Sequence, residues 1–251
     1  MKKNAVKNFH KFLFLYFILW ILLFEFILPV NNILPKPSVV LLSFNDLLSD
    51  YKLLVNFLST VCAIYFSLAL AYLVVWLIRS YLITSSHVVS DFVLSLHWFG
   101  EFIPWIILGL FLIYWFPSSE YVKYIFIFSI SFFSIITHLR QELKTVKTEY
   151  FDSGISLGAD EKIISKKIIW KEIQPKLFNH LKILNFQLWS LAIIFEYVSN
   201  QNGLGVIYRH ALEYKDLSAL FSNTLITGIS VYLGSQLILY LKNKFYHWSL
   251  I

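Results

Sequence analysis

The sequence predicts an all-α membrane protein with about six membrane-spanning helices. Three observations carry that expectation. Apolar residues outnumber charged ones far beyond the usual ratio, they gather into runs of membrane length, and lysine and arginine favour one side of those runs. Apolar residues make up 58% of the 251 and charged residues 14%, where soluble domains sit near half and a quarter. A helix needs about 20 apolar residues to cross roughly 30 Å of hydrocarbon, and a soluble chain does not carry several such runs.

The first run, residues 12–30, holds one ionisable side chain, Glu25. Lys2, Lys3, Lys7 and Lys11 precede it as in a signal peptide, but the run exceeds the about 7–15 residues of a signal's apolar core. Pro29, Pro35 and Pro37 follow, not a small-x-small cleavage site, so a retained span over 12–29 is expected. The next runs predict spans at 53–78, 101–117, 121–138, 181–198 and 218–241, the third and fourth separated only by Ser118, Ser119 and Glu120. Residues 88–99 are amphipathic and suit a short interfacial helix leading into the third span. The expected organisation is an N-terminal helix with its outer segment, 1–52, followed by one core, 53–251. Cys62 is the single cysteine and lies in an apolar run, which excludes a disulfide framework within the chain.

Lysine and arginine stay on the cytoplasmic side of membrane proteins. With the N-terminus inside, only Lys36, Lys52, Lys123, Arg209 and Lys215 of the 21 basic residues fall outside, and the other sixteen fall inside. Both termini are therefore expected in the cytoplasm. The net charge of +6 reads as a topology signal and an affinity for anionic lipid headgroups. The basic residues are spread along membrane-flanking segments, so a nucleic-acid partner is not implied.

The most informative segment is the inner loop, residues 139–180, which includes TEYFDSGISLGADEKIISKKIIWKEIQPKLF. Loops of this length between spans are usually functional. A helix is expected up to about Leu157, then a left-handed break at Gly158 and a second helix from about Asp160. Asp160 suits the N-cap, and Glu161 adds negative charge near the positive end of the helix dipole. Ile163, Ile164, Ile168 and Trp170 are expected partly on one side, ringed by Lys162, Lys166, Lys167 and Lys171, and Pro175 is expected to stop or kink the helix. From the residues alone two readings stand: a packed helical elbow with a polar tip, or an amphipathic loop lying on the bilayer.

The stretch from Asp152 to Pro175 resembles the signature loop of binding-protein-dependent ATP-binding cassette importer permeases. Asp152-Ser153-Gly154 stands where that family has Glu-Ala-Ala, Leu157-Gly158-Ala159 where it has Leu-Gly-Ala, and Pro175 at its closing proline. Lys171 replaces a frequent earlier proline. Leu34-Pro35-Lys36-Pro37-Ser38 is similar to the Leu-Pro-x-Pro segment of the nitrate, sulfonate and taurine type permeases. Pro104, Trp115-Phe116, Glu196, Gly203-Leu204-Gly205 and the tail Phe245-Tyr246-His247-Trp248 fall at matching places. The looser Asp-Ser-Gly and the lack of a Ser/Thr-x-x-Arg pattern opening the second span mark a divergent member.

The resemblance implies a type I importer permease fold in the bacterial inner membrane, moving a small solute. The solute would be an organic or inorganic anion such as sulfonate or nitrate, or a vitamin precursor. It implies two copies of a separate ATPase, contacted through Asp152, Ser153, Gly154, Leu157, Gly158, Ala159, Asp160, Glu161 and Pro175. It further implies a second permease chain, as a homodimer, and a periplasmic or lipid-anchored substrate-binding protein. Pro104, Glu196, Gly203 and Gly205 would border the translocation path. No cofactor or metal is implied. The chain has no Gly-x-x-x-x-Gly-Lys-Ser/Thr, so the nucleotide site is expected on a partner.

The remaining polar residues carry two readings each. Glu196 is an intramembrane ionisable group and hence a site candidate, or an acceptor for backbone N–H groups of the Gly203-Leu204-Gly205 turn. Glu25 is placed to snorkel to the outer interface. His138 and Arg140 read as interface anchors or as an anion gate. His97, Glu101, His180 and His210 lack metal-ligand spacing. The alternative to a permease is a membrane-embedded enzyme or scaffold whose loop docks another partner.

Overall fold

The computed structural model describes residues 2–28, 34–84, 95, 104–117, 119–146 and 149–246, and among them every regular element is helical. Helix α1, Lys2–Ile21, runs on through a π-helical turn, Leu22–Ile27. A short helix, α2, spans Pro37–Ser49, with Pro37 in the first turn, where its missing N–H costs nothing. Helix α3 is Leu53–Ile83, α4 Trp105–Trp115, α5 Val122–Leu143 and α6 Glu149–Ser156. Helix α7 runs continuously over Glu161–Ser199, and α8, Leu204–Glu213, and α9, Leu217–Phe245, complete the chain.

Four of these helices, α3, α5, α7 and α9, are long and apolar enough to cross a membrane. The chain is thus a multi-pass membrane protein. The expected spans at 12–29 and 101–117 correspond to shorter apolar helices, Phe14–Ile27 and Trp105–Trp115. The expected interfacial helix at 88–99, His97, Glu101 and the tail residues His247 and Trp248 lie outside the described residues.

The core forms where α3, α5 and α7 meet. Along α3 the buried face repeats every fourth residue through Asn56, Thr60, Ile64 and Leu68, with Ala63, Ser67, Ala71 and Val75 beside it. Small side chains on that face let α3 and α5 approach closely, which is how helices pack where lipid removes the hydrophobic drive. Ser67 Oγ spends its hydrogen on the Tyr124 carbonyl of α5, 3.0 Å away. Phe126 of α5 stacks on Phe195 of α7, with centroids 4.9 Å apart. Cys62 is exposed on α3.

A second polar node ties α9 to this core. Asn185, fully buried on α7, donates from Nδ2 to Val231 O and Ser235 Oγ, each at 3.1 Å. Its Oδ1 accepts from Tyr65 Oη of α3 at 3.2 Å, and Trp189 Nε1 donates to the same hydroxyl at 3.4 Å. Gly234 sits against that hydroxyl, so a Cβ there would overlap it.

Three expectations need correction. Pro175 does not stop α7; the helix continues to Ser199. Ile173, Leu177 and Pro175 itself are buried, and that packing outweighs the about 3 kcal/mol a helical proline costs. Glu25 accepts from Ser38 N at 3.3 Å and Ser38 Oγ at 2.9 Å, capping the start of α2. The second loop helix does not bury Ile163 and Ile168. It contains a π-helical stretch, Ser165–Ile169, so the buried positions step by five from Ile164 to Ile169, and Ile163 and Ile168 face outward. Asp160 occupies the N-cap as expected, yet its side chain makes no capping hydrogen bond.

Gly234→Ala should lower the thermal midpoint of the detergent-purified protein, by about 1–3 kcal/mol of overpacking. Adding Tyr65→Phe, which removes the obstructing hydroxyl, should raise the midpoint above that of Gly234→Ala alone. A double variant no more stable than Gly234→Ala would disprove this account of the contact.

Candidate functional site

Two regions of the fold concentrate the sequence-predicted residues, one at each end of α7. At its C-terminal end, α7 stops because Asn200 takes the left-handed conformation, φ 54°, which asparagine tolerates. Gly203 follows at φ 154° and opens α8. The first N–H groups of α8 have no partner within that helix, and side chains from α3 and α7 accept them. Gly203 N donates to Asn56 Oδ1 at 2.8 Å, Leu204 N to Thr60 Oγ1 at 2.9 Å, and Gly205 N to Glu196 Oε2 at 3.1 Å.

Glu196 is fully buried and carries the centre of this arrangement. It accepts the Thr60 hydroxyl at 2.8 Å and the Lys123 ammonium at 3.0 Å. Lys123, also buried, spends its other two hydrogens on Ser59 Oγ at 2.7 Å and Asn202 O at 2.6 Å. Every donor of the ammonium is therefore satisfied, which a buried charge requires. The two glycines follow from the carboxylate. A Cβ on Gly203 would overlap the Glu196 carboxyl group, and one on Gly205 would meet the backbone of α7 at Ile193 O and Tyr197 N.

Beside this lock lies an open cleft of about 620 Å³ between α2, α3 and α8. Asp46, Asp50 and Asp216 line it together with Lys52 and His210. Tyr51 Oη donates to Asp216 Oδ2 at 3.1 Å, and Asp216 Oδ1 accepts Ala219 N at 2.9 Å, capping α9. Burial and then the Asp216 carboxylate push the Tyr51 phenol up to about 12, so it remains a donor across the physiological range. At the exposed end of α8, the Arg209 hydrogen bond holds the Glu213 carboxyl below its ordinary value.

The other end is the elbow between α5 and α7. Helix α6 closes with two bonds of a Schellman turn, Ala159 N to Gly154 O at 3.1 Å and Gly158 N to Ile155 O at 2.8 Å. That turn places Gly158 at φ 75°. Gly154 is buried against Ile164, whose side chain would lie 2.7 Å from an added Cβ. The tip is apolar: Leu157 is 86% exposed, and Ile155 and Ile163 also face outward. Asp152, Ser153, Asp160 and Glu161 ring it with exposed polar groups, and Ala159 packs inward. Behind the tip, Lys176 of α7 reaches Glu142 of α5 at 3.3 Å and Glu172 at 3.7 Å, bracing both arms. A cleft of about 390 Å³ lined by Tyr150, Lys167, Ile168, Lys171 and Glu172 flanks the elbow.

The structure brings Glu196, Gly203 and Gly205 together but not Pro104, which caps the start of α4. Trp105 stacks on Phe133, ten residues or about 15 Å along α5 from Lys123. His138 and His180 stack at 4.1 Å, with Ser134 Oγ 2.9 Å from His180 Nε2 and Glu142 3.5 Å from His138. Lys123, Thr60 and Asn56 were not legible as site residues, because Lys123 reads as an outer-surface cation. The available signal was complementarity: an isolated lysine at the entry of one apolar run and an isolated glutamate at the exit of another.

Removing one member of a buried ion pair strands the other. Lys123→Met should destabilise the purified protein by about 3–5 kcal/mol, and adding Glu196→Gln should recover most of that loss. Thermal unfolding of the single and double variants checks the coupling. Equal losses in Lys123→Met and the double variant would show that the pair does not act as a unit.

Comparison with known proteins gives three findings. The chain is 22% identical over 135 residues to a putative ABC transporter permease protein of Methanocaldococcus jannaschii, covering 53% of this chain and 51% of that protein. It thus spans about half the length of that curated relative. No solved structure matches it. The model of the binding-protein-dependent transport system inner membrane component family matches residues 77–245. With well over half of its length matched, the chain belongs to the family of binding-protein-dependent transport system inner membrane components, and is a transport subunit rather than an enzyme.

Proposed function

We propose that this chain is the permease subunit of an ATP-binding cassette importer and that its elbow, residues 149–175, is where a separate ATPase pushes. The observation that carries this reading is the elbow itself. It combines an apolar tip at Leu157 on a Gly158 reversal with arms braced through Lys176, and it continues without a break into α7. A rigid lever of this kind converts closure of a partner into movement of membrane helices. Asp152, Ser153, Asp160 and Glu161 then form the polar rim of the contact, while Gly154, Ala159 and Pro175 shape it from within.

Basic residues crowd the elbow end, which supports a reading with that end and both termini on the cytoplasmic side of an inner membrane. Two permease chains, as a homodimer, pair with two ATPases, and the outer cleft beside Asp216 faces an extracytoplasmic binding protein. That protein selects the solute, an anion such as sulfonate or nitrate or a vitamin precursor. Glu196, Gly203 and Gly205 shape the outer rim of the path, and Pro104 sets the start of α4 near its inner end.

Gly158 separates conformation from contact, because an added Cβ meets nothing within 4 Å. Gly158→Asn, which accepts the left-handed region, should retain the copurifying ATPase. Gly158→Val, strained by about 1–3 kcal/mol there, should lose it about tenfold while still inserting. Equal copurification by the parent and Gly158→Val would remove the elbow as the docking element. Reporters fused within 149–175 and after Lys244 should read cytoplasmic and one at Asn202 extracytoplasmic; a cytoplasmic signal at Asn202 would overturn the orientation.

A further inference from the structure

The C-terminal part of α3 holds a cation, Arg79, with no counterion among the described residues. Arg79 lies about 39 Å along the helix from Leu53, beyond roughly 30 Å of hydrocarbon and so at headgroup depth. Its guanidinium sits over the Trp76 ring, 4.4 Å from the centroid, and 5.9 Å from the centroid of Trp170. Nη1 donates to the Trp76 carbonyl. Arg79 Nε and Trp170 Nε1 are both buried donors with no acceptor, and Trp170 is only 2% exposed. Among the described residues no carboxylate lies within ion-pair reach of Arg79. Leaving such donors unpaired is costly, and the missing group must be an acceptor carrying negative charge.

The surroundings identify its source. Trp76, Leu77 and Tyr81 are exposed around Arg79 on the apolar flank of α3. On the other flank the π-helical stretch Ser165–Ile169 packs against α3 and exposes Lys166 and Lys167. Basic pockets between helices at the cytoplasmic leaflet take anionic headgroups, and a guanidinium takes phosphate oxygens in pairs. We propose that the corner between Arg79 and Trp170 binds the phosphate of an anionic lipid headgroup, seating it between α3 and the root of the elbow. Arg79 is only half-buried, so its outer edge meets the phosphate, and engagement turns Nε and the Trp170 indole N–H onto it. The inference rests on the cytoplasmic placement of the elbow proposed above.

The test uses the full chain, purified from vesicles of phosphatidylcholine with phosphatidylglycerol, and counts retained lipid by native mass spectrometry. A parallel arm adds excess inorganic phosphate to the same mixed vesicles. The parent should retain phosphatidylglycerol. Arg79→Gln should reduce retention about tenfold, as expected for a lost charge-assisted pair, and Arg79→Lys should fall between them. Trp170→Phe keeps the ring, removes only the N–H, and should reduce retention several-fold. Unchanged retention in both Arg79→Gln and Trp170→Phe would overturn the proposal, as would inorganic phosphate displacing the lipid from the parent. ATPase copurification on the same samples keeps the two readings apart. Arg79-dependent lipid without ATPase removes the importer reading, and ATPase without Arg79-dependent lipid removes this one.

Discussion

The fold hangs on a buried ion pair that joins two helices distant in sequence. Lys123 begins α5 and Glu196 ends α7, and their contact is enclosed by Ser59 and Thr60 of α3 and by the first turn of α8. Taking both charges out of water costs several kcal/mol per ion, which a good geometry only repays. The pair is therefore weak as a source of net stability and strong as a constraint on register. Only one axial alignment of α3, α5 and α7 satisfies three ammonium hydrogens and the carboxylate together. Once the alignment is set, Gly203 and Gly205 are obligatory, because the carboxyl group and the α7 backbone occupy the space their side chains would need.

A rim built this way resists internal rearrangement, since separating any of its helices strands a charge or a buried N–H. The elbow end has a different character. Its braces, Lys176 with Glu142 and Glu172, are partly exposed, and such pairs contribute only about 0–1 kcal/mol. The two ends are joined by α7, 39 residues and about 58 Å long. Its π-helical stretch and Pro175 both lie near the elbow, where the regular α-helical ladder is interrupted. The regular part of α7 is the part that Asn185 and Glu196 clamp.

Length and apolarity made the four long helices readable in advance, because a membrane span needs nothing else. The Gly158 reversal was readable too: a glycine flanked by Leu157 and Asp160 has few other uses between two amphipathic stretches. Three features escaped for specific reasons. Helices α2 and α8 are short and sit among the outer segments, where no membrane-length run announces them. The outward placement of Ile163 and Ile168, with Ile169 buried beside the expected Ile164 and Trp170, follows from a π turn that leaves no compositional mark. Lys123 was counted as an outer-surface charge, since charge counting assigns a side and not a depth. Of the candidate site, Glu196 with its Gly203-Leu204-Gly205 turn was visible, and its lysine, threonine and asparagine partners were not.

The glycines show why a motif alone does not carry a mechanism. Gly154 and Gly158 stand four residues apart in one signature loop, yet they are required for unrelated reasons. Gly154 has ordinary backbone geometry and no room, because Ile164 fills the space beside it. Gly158 has room and an extraordinary backbone, at φ 75°. Gly203 has both constraints at once: φ 154° and the Glu196 carboxyl group in the place of a Cβ. A small side chain at Gly154 would trade against the size of residue 164. No partner change relieves Gly158, whose cost lies in its own dihedral. Gly154 and the isoleucine at 164 are thus two halves of one packing solution. The reversal at Gly158 is fixed independently of both.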